Sequence, residues 1–151
     1  MKDDPPELSE NELKQDFATM LLLEKLLRES YSNTQSKDIQ ALQWSILRYL
    51  NDTAPSRRTV RWISSFLCLT HAPIVRCIAT LLNKGLVEQR RNPMDARSNI
   101  ISLTSKGQRV LEEDPILRIA ARINQLPYTD RSHFRRISRN IALTKDQAEG
   151  K

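Results

Sequence analysis

The chain has 151 residues, 39% of them hydrophobic and 28% charged, with a formal net charge of +6. That length supports one domain with a real core, and the basic balance points to an anionic partner, nucleic acid first among the candidates. Three glycines and 5% aromatics argue against a loop-rich β fold and for long helices around a Leu/Ile core.

No apolar run reaches the ~18 residues of a membrane span, so no membrane partner is expected. The longest run, residues 20–23, is followed by Glu24 and Lys25. The N-terminus is acidic, unlike a secretory signal, and the expected location is cytoplasmic, with Cys68 and Cys77 reduced. Charge is uneven along the chain. Residues 1–16 carry Asp3, Asp4, Glu7, Glu10, Glu12 and Asp16 against Lys2 and Lys14, whereas the basic residues lie downstream, especially from Arg57 to Arg139. Two surfaces with different tasks are implied.

Residues 1–8, with Pro5 and Pro6, read as a frayed tail. Ser9 and Glu12 fit a capping box, and a helix is predicted from there to about Glu29. Its apolar face (Leu13, Phe17, Met20, Leu21, Leu27) is wider than one groove of a small domain needs, which predicts a partner helix. A polar turn over 31–36 precedes a second helix from about Asp38, with Ile39, Leu42, Ile46, Leu47 and Leu50 on one side, stopped by residues 51–56. A third, shorter helix over 59–67 buries Val60, Ile63 and Leu67, and Cys68-Leu69 makes a tight corner.

Thr70 is expected to cap a fourth helix with its hydroxyl, and Pro73 falls in the first turn, where a missing N–H costs nothing. Ile74, Cys77, Ile78 and Leu81 form the buried stripe. Ala72, Val75, Arg76, Ala79 and Thr80 form an open side. Lys84-Gly85 ends the helix. Residues 86–91 and 99–103 read as strands, and residues 92–98 as an extended loop, too long for a two-residue turn. Thr104 caps a fifth helix. Pro115 interrupts that helix, either as a kink or as the first position of a new helix capped by Asp114. Leu126-Pro127-Tyr128 is a turn, Thr129 is placed to cap the last helix, and Phe134, Ile137 and Ile141 form its apolar stripe. Arg131, Arg135, Arg136 and Arg139 form its solvent side.

Helix, helix, turn, helix and a charged hairpin is the order of a winged helix-turn-helix. The stretch "ISSFLCLTHAPIVRCIATLLNKGLVEQRRNPMDARSNIISLTSKG" resembles the core of the MarR family of bacterial transcription regulators. The resemblance rests on the Leu69-Thr70 corner, Ile74-Val75-Arg76, Leu81-x-x-Lys84-Gly85-Leu86-Val87, Asp95-x-Arg97-Ser98 and Ser102-Leu103-Thr104-x-x-Gly107. "LQWSILRYL" looks like the family's second helix, so the strong match covers residues 41–111. The sequence departs from the family pattern at Cys68, where the corner usually has Gly, at Ser64, which replaces Ala, and at Pro115, within a normally continuous helix.

The resemblance implies a mainly α fold with a small two-to-three-stranded β wing. One MarR-like domain would span 1–151, with a winged helix-turn-helix lobe at 38–103 and a helical dimerisation region at 9–35 and 104–145. It implies a homodimeric, sequence-specific DNA-binding repressor on a pseudo-palindromic operator, released by a small aromatic or phenolic effector. Double-stranded DNA and a second copy are then the partners. The expected DNA-binding residues are Thr70, His71, Ala72, Pro73, Val75, Arg76 and Thr80 on the recognition helix, and Arg90, Arg91, Asp95, Arg97 and Ser98 on the wing. Arg76 has the donors for a bidentate bond to guanine, and Arg97 suits the negative potential of the minor groove. By resemblance, Asp95 would hold Arg97 through an ion pair.

Other classes fit less well. No phosphate loop, nucleophile elbow or paired-acid arrangement points to an enzyme. His71 and His133 lack clustered ligands, so no metal or other cofactor is expected. Cys68 is the candidate redox thiol for a thiol-sensing regulator, but no basic cluster flanks it. A winged helix serving as a protein-interaction module would need neither the basic wing nor Arg76.

Overall fold

The computed structural model describes residues 9–32 and 38–144. The expected tail at 1–8, most of the turn over 31–36 and residues 145–151 lie outside them. The described helices are α1 (Glu10–Ser32), α2 (Ala41–Asp52), α3 (Val60–Leu67), α4 (His71–Asn83), α5 (Ser105–Val110), α6 (Ile116–Asn124) and α7 (Tyr128–Leu143). The strands are β1 (Val87–Asn92) and β2 (Asp95–Leu103), with short 3-10 turns at Pro55–Arg57 and Leu111–Glu113. Among the described residues, no single helix is long and apolar enough to cross a membrane. The chain divides into two compact units, one of residues 31–115 and the other of residues 1–30 and 116–151.

The first unit holds the core. Trp44, Ile46, Leu47, Leu50, Ile63, Ile74, Leu81 and Ile101 are fully buried, drawn from α2, α3, α4 and β2. The predicted stripes of α2 and α4 are the buried ones, and Cys77 joins them as a small apolar residue. Ser64, where the resemblance implies alanine, is also buried, and among the described residues its hydroxyl has no hydrogen-bond partner, a cost that a methyl group would not carry. Burial pushes the Cys77 thiol up to about 11, although the Lys84 charge pulls the other way.

The corner between α3 and α4 is left-handed at Cys68 (φ 53°, ψ 40°), the only described non-glycine residue with positive φ. A glycine would adopt this backbone freely, whereas a side chain costs about 1–2 kcal/mol there. Leu69 N–H closes the corner onto Ser64 O at 3.0 Å. Thr70 precedes α4 as expected, but its side chain makes no capping hydrogen bond.

The end of α4 is held closely. Gly85 is left-handed (φ 67°). Its N–H donates to Leu82 O, and Leu86 N–H donates to Leu81 O, the paired bonds that terminate a helix at glycine. The next carbonyls are taken by the segment beyond the hairpin. Lys106 Nζ donates to Lys84 O at 2.8 Å and Thr104 Oγ1 to Gly85 O at 2.7 Å. Thr104 N–H donates to Leu86 O at 3.1 Å. Thr104 Oγ1 also accepts from Gly107 N–H, the expected cap of α5. A Cβ on Gly107 would lie 2.1 Å from Leu86 O, so only glycine fits this crossing.

Arg48 joins the two ends of the same unit. Its Nε and Nη2 donate to the two carboxylate oxygens of Asp114 at 2.6 and 2.7 Å, and Nη1 donates to Tyr31 Oη at 3.0 Å. Burial works to lower the guanidinium pKa, but the hydrogen bonds to Asp114 and Tyr31 outweigh it and raise the value overall. Asp114 has extended backbone and α6 starts anew at Ile116, so Pro115 separates two helices and does not kink one.

In the second unit, the Ser9–Glu12 capping box is present: Ser9 N–H donates to Glu12 Oε2 at 3.0 Å, and Glu12 N–H donates to Ser9 Oγ at 3.3 Å. The Ser9 hydrogen bonds lower the Glu12 pKa. α1 runs three residues past its expected end, to Ser32. α7 begins at Tyr128 with Pro127 at its cap, so Thr129 is inside the helix and does not cap it. The spacing of α7 puts Arg131 in solvent. Instead it is half-buried and its Nη1 donates to Asn124 O and Oδ1 at 3.1 and 2.7 Å, tying α7 to the end of α6.

This packing has two measurable consequences. Gly107→Ala should destabilise the protein by about 1–3 kcal/mol in denaturant unfolding, because backbone must move to admit the methyl group; an unchanged midpoint would contradict the close crossing. In thiol titration at pH 8, exposed Cys68 should react in the native protein. Cys77, buried and with its thiol pushed up to about 11, should react only on unfolding, and equally fast labelling of both would contradict its burial. Because the folded Cys77 pKa is raised, its contribution to stability is complete below the usual thiol range and is lost as pH climbs toward 11.

Candidate nucleic-acid interface

The hairpin is tighter than the sequence predicts. β1 and β2 pair antiparallel from Val87↔Leu103 to Arg91↔Asn99, and then Asn92 pairs with Asp95. The connection is therefore two residues, Pro93 and Met94, and not an open loop over 92–98. Residues 96–98 are the excess on β2, bulged out between the two registers. Polar side chains, not alternating apolar ones, hold this tip, and hydrophobic patterning could not reveal its pairing. Asn92 Oδ1 accepts from Met94 N–H at 3.0 Å, and Asn92 Nδ2 donates to Ser98 Oγ at 2.9 Å. Asp95 Oδ1 accepts from Arg97 N–H at 3.0 Å. Asp95 thus holds the backbone of Arg97. Among the described residues no ion pair joins their side chains.

The arginines stand out from this frame. Arg90, Arg91 and Arg97 are exposed, and Arg91 makes one long bond, from Nε to Ala96 O at 3.4 Å. The wing has a trace of a third strand where Ile101 N–H donates to Arg58 O at 2.8 Å. Arg58 in turn donates from Nε to Thr53 O at 2.7 Å, so this arginine is structural.

On α4, Ala72, Val75, Arg76 and Ala79 are exposed, as are Thr70 and His71 just before and at its start. Thr80 is half-buried and its hydroxyl donates to Arg76 O at 3.1 Å. No acidic residue interrupts α4 or its caps. The open face predicted from the sequence is therefore present, with Arg76 as its cation.

The expected residues fall into separate groups. His71 and Val75 of α4 line one concavity of about 470 Å³ together with Arg97 and Ser98 of the wing. Arg61, Gln89 and Asn99 line it too, and the sequence alone does not single them out. The available signal for Arg61 is the run Arg57-Arg58-x-x-Arg61 before and inside α3. Pro73, Arg76 and Thr80 line a second, shallower depression with Gln40 and Gln43. Arg90, Arg91 and Asp95 line neither. Cys68 is exposed at its corner, and its Sγ lies 3.9 Å from Ser65 O.

Comparison with known proteins agrees with this geometry. Residues 39–107 match the family model described as a winged helix DNA-binding domain. No curated protein matches the chain. Among solved structures, Sco3205 from Streptomyces coelicolor, a MarR family transcriptional regulator in complex with DNA, is 19% identical, with a TM-score of 0.72 over 97% of each chain. AbsC, a MarR family regulator of the same organism, is 16% identical, with a TM-score of 0.71 over 91% of this chain and 96% of its own. PcaV, also from S. coelicolor and solved with its natural ligand, is 19% identical, with a TM-score of 0.59 over 94% of this chain and 97% of its own. Residues 39–107 are thus similar to the winged helix DNA-binding domain, and the chain has the fold of the solved MarR family transcription regulators.

Proposed function

We propose that the protein is a MarR-family transcription repressor that binds a pseudo-palindromic operator as a homodimer. One observation carries the DNA reading: α4 and the bulged wing line a single concavity, with His71 and Val75 from one and Arg97 and Ser98 from the other. An exposed helix face without carboxylates beside an arginine-bearing hairpin matches the negative, grooved surface of duplex DNA. In this reading α4 enters the major groove, where Arg76 donates to a guanine, and the wing reaches the minor groove with Arg97. Thr70, His71, Ala72, Pro73, Val75 and Thr80 lie against phosphates or bases around α4, and Arg90, Arg91, Asp95 and Ser98 belong to the wing contact.

The homodimer is supported by apolar surface in the second unit. Phe17 is 64% exposed, Leu22 67% and Ile141 68%, and Leu13, Met20 and Ile137 are exposed with them. Large apolar side chains left exposed on two helices mark an association surface. The effector of the proposal is a small aromatic or phenolic compound, the class that the family resemblance implies. Loss of operator binding on adding such a compound is the corresponding test.

Two arginines separate the roles. Arg76→Ala should cost ~1–3 kcal/mol on an operator selected from random duplex and far less on random DNA, since a bidentate base contact is what discriminates. Arg97→Ala should weaken both by similar factors and flatten the salt dependence. With about four phosphate contacts per chain, the log–log slope for a dimer is near −7. Isotherms on both duplexes at two salt concentrations decide the matter. Equal losses for Arg76→Ala would remove α4 from the major groove, and no effect of Arg97→Ala would remove the wing from DNA.

A further inference from the structure

α6 and α7 carry Arg118, Arg122, Arg131, Arg135, Arg136 and Arg139 against one carboxylate, Asp130. The distribution on α7 is sharper than the count. At 100° per residue, Asp130, Phe134, Ile137 and Ile141 share one side. Tyr128, Ser132, Arg135 and Arg139 succeed one another at i, i+4, i+7 and i+11 on the opposite side, flanked by Arg136 and Asn140. These six residues line a concavity of about 380 Å³. All six are exposed, and among the described residues Arg135, Arg136 and Arg139 take part in no ion pair.

The chemistry of this face selects its occupant. It has no apolar residue besides the Tyr128 ring, so it lacks the hydrophobic floor of a small-molecule pocket and the apolar centre of a protein interface. It has instead three guanidinium groups, two hydroxyls and an amide, the side chains that serve as phosphate donors along nucleic-acid backbones. Arginine supplies its donors in a fixed fork that matches phosphate oxygens. We propose that this face of α7 binds the phosphate backbone of duplex DNA without regard to sequence, as a contact separate from α4 and the wing.

The test uses the full-length protein, an operator-length duplex and the same duplex extended by about 20 bp of unrelated sequence on each side. Arg135→Gln/Arg139→Gln removes charge from exposed positions without removing hydrogen-bonding capacity. On the extended duplex it should weaken binding tenfold or more and make the salt slope shallower by about 2 per chain, at 0.9 per phosphate lost. Arg135→Lys/Arg139→Lys should keep most of the slope. Ser132→Glu, which leaves every arginine in place, should weaken binding in the same direction. Titration to saturation separates two sources of the same phosphates: one duplex per protein assembly means flanking DNA, and more than one means a second duplex. The same variants in an Arg76→Ala/Arg97→Ala background distinguish this contact from the lobe. Residual, salt-sensitive binding that the α7 changes abolish supports the proposal even if the lobe reading fails. Unchanged affinity and slope for both the Gln and the Glu variants on the extended duplex would overturn it. So would a change confined to self-association in sedimentation, which would assign the face to a second copy of the chain.

Discussion

The wing stands where it does because three consecutive carbonyls at the end of α4 are claimed by the segment that returns from the hairpin. Lys84 O, Gly85 O and Leu86 O accept from Lys106 Nζ, Thr104 Oγ1 and Thr104 N–H. A helix ends with unpaired carbonyls that need partners. Those of Leu81 and Leu82 are met by Leu86 and Gly85 N–H, and the three carbonyls that follow the helix take their partners from beyond β2, so the exit from α4 and both feet of the hairpin are fixed together. Gly107 permits it, since any side chain there would strike Leu86 O. α4 and the wing are thereby tied to one point, and their arginines reach outward from it.

That division of labour explains the chemistry of the surface. The frame is apolar and hydrogen-bonded, with Ile74, Ile78 and Leu81 beneath α4 and Ile101 beneath the wing. The charges are long, exposed side chains with few bonds to the protein. Asp95 fixes the backbone of Arg97 and leaves the guanidinium outside any protein ion pair among the described residues. An arginine already tied up by a carboxylate would have to break that bond before meeting a phosphate. Arg48 shows the contrast: with three of its N–H donors spent on both oxygens of Asp114 and on Tyr31, it holds residues near the two ends of the lobe together and its charge is already paired.

Much of this is legible in the sequence where one physical signal dominates. The period of Ile74, Cys77, Ile78 and Leu81 marks the buried side of α4, and hence its open side. Ser9 with Glu12 and Lys84 with Gly85 mark helix ends, because each pair carries its own local bonding. Thr70 and Thr129 fail as caps although they have the right chemistry. The first makes no capping bond with its side chain, and the second is displaced by Pro127, whose fixed φ starts α7 two residues earlier. The hairpin tip reads as a loop because its pairing depends on Asn92, Asp95 and Ser98 bonding side chain to backbone, which leaves no trace in hydrophobic alternation. Arg131 has the spacing of a solvent residue, but its partner Asn124 belongs to another helix. Arg61 is hidden because only the folded chain brings the start of α3 beside the wing.

On this account α4 and the wing read opposite grooves of one duplex. Chemical footprinting of the full-length protein on a duplex selected from random sequence tests that claim most directly, by tracking guanine N7 methylation in the major groove and adenine N3 methylation in the minor groove. Two symmetry-related clusters of protected N7 atoms are expected, with centres about one helical turn, ~10 bp, apart, each flanked by protected N3 positions where the wing lies. Protection confined to one groove, or N7 atoms as reactive as in free DNA, would contradict the account.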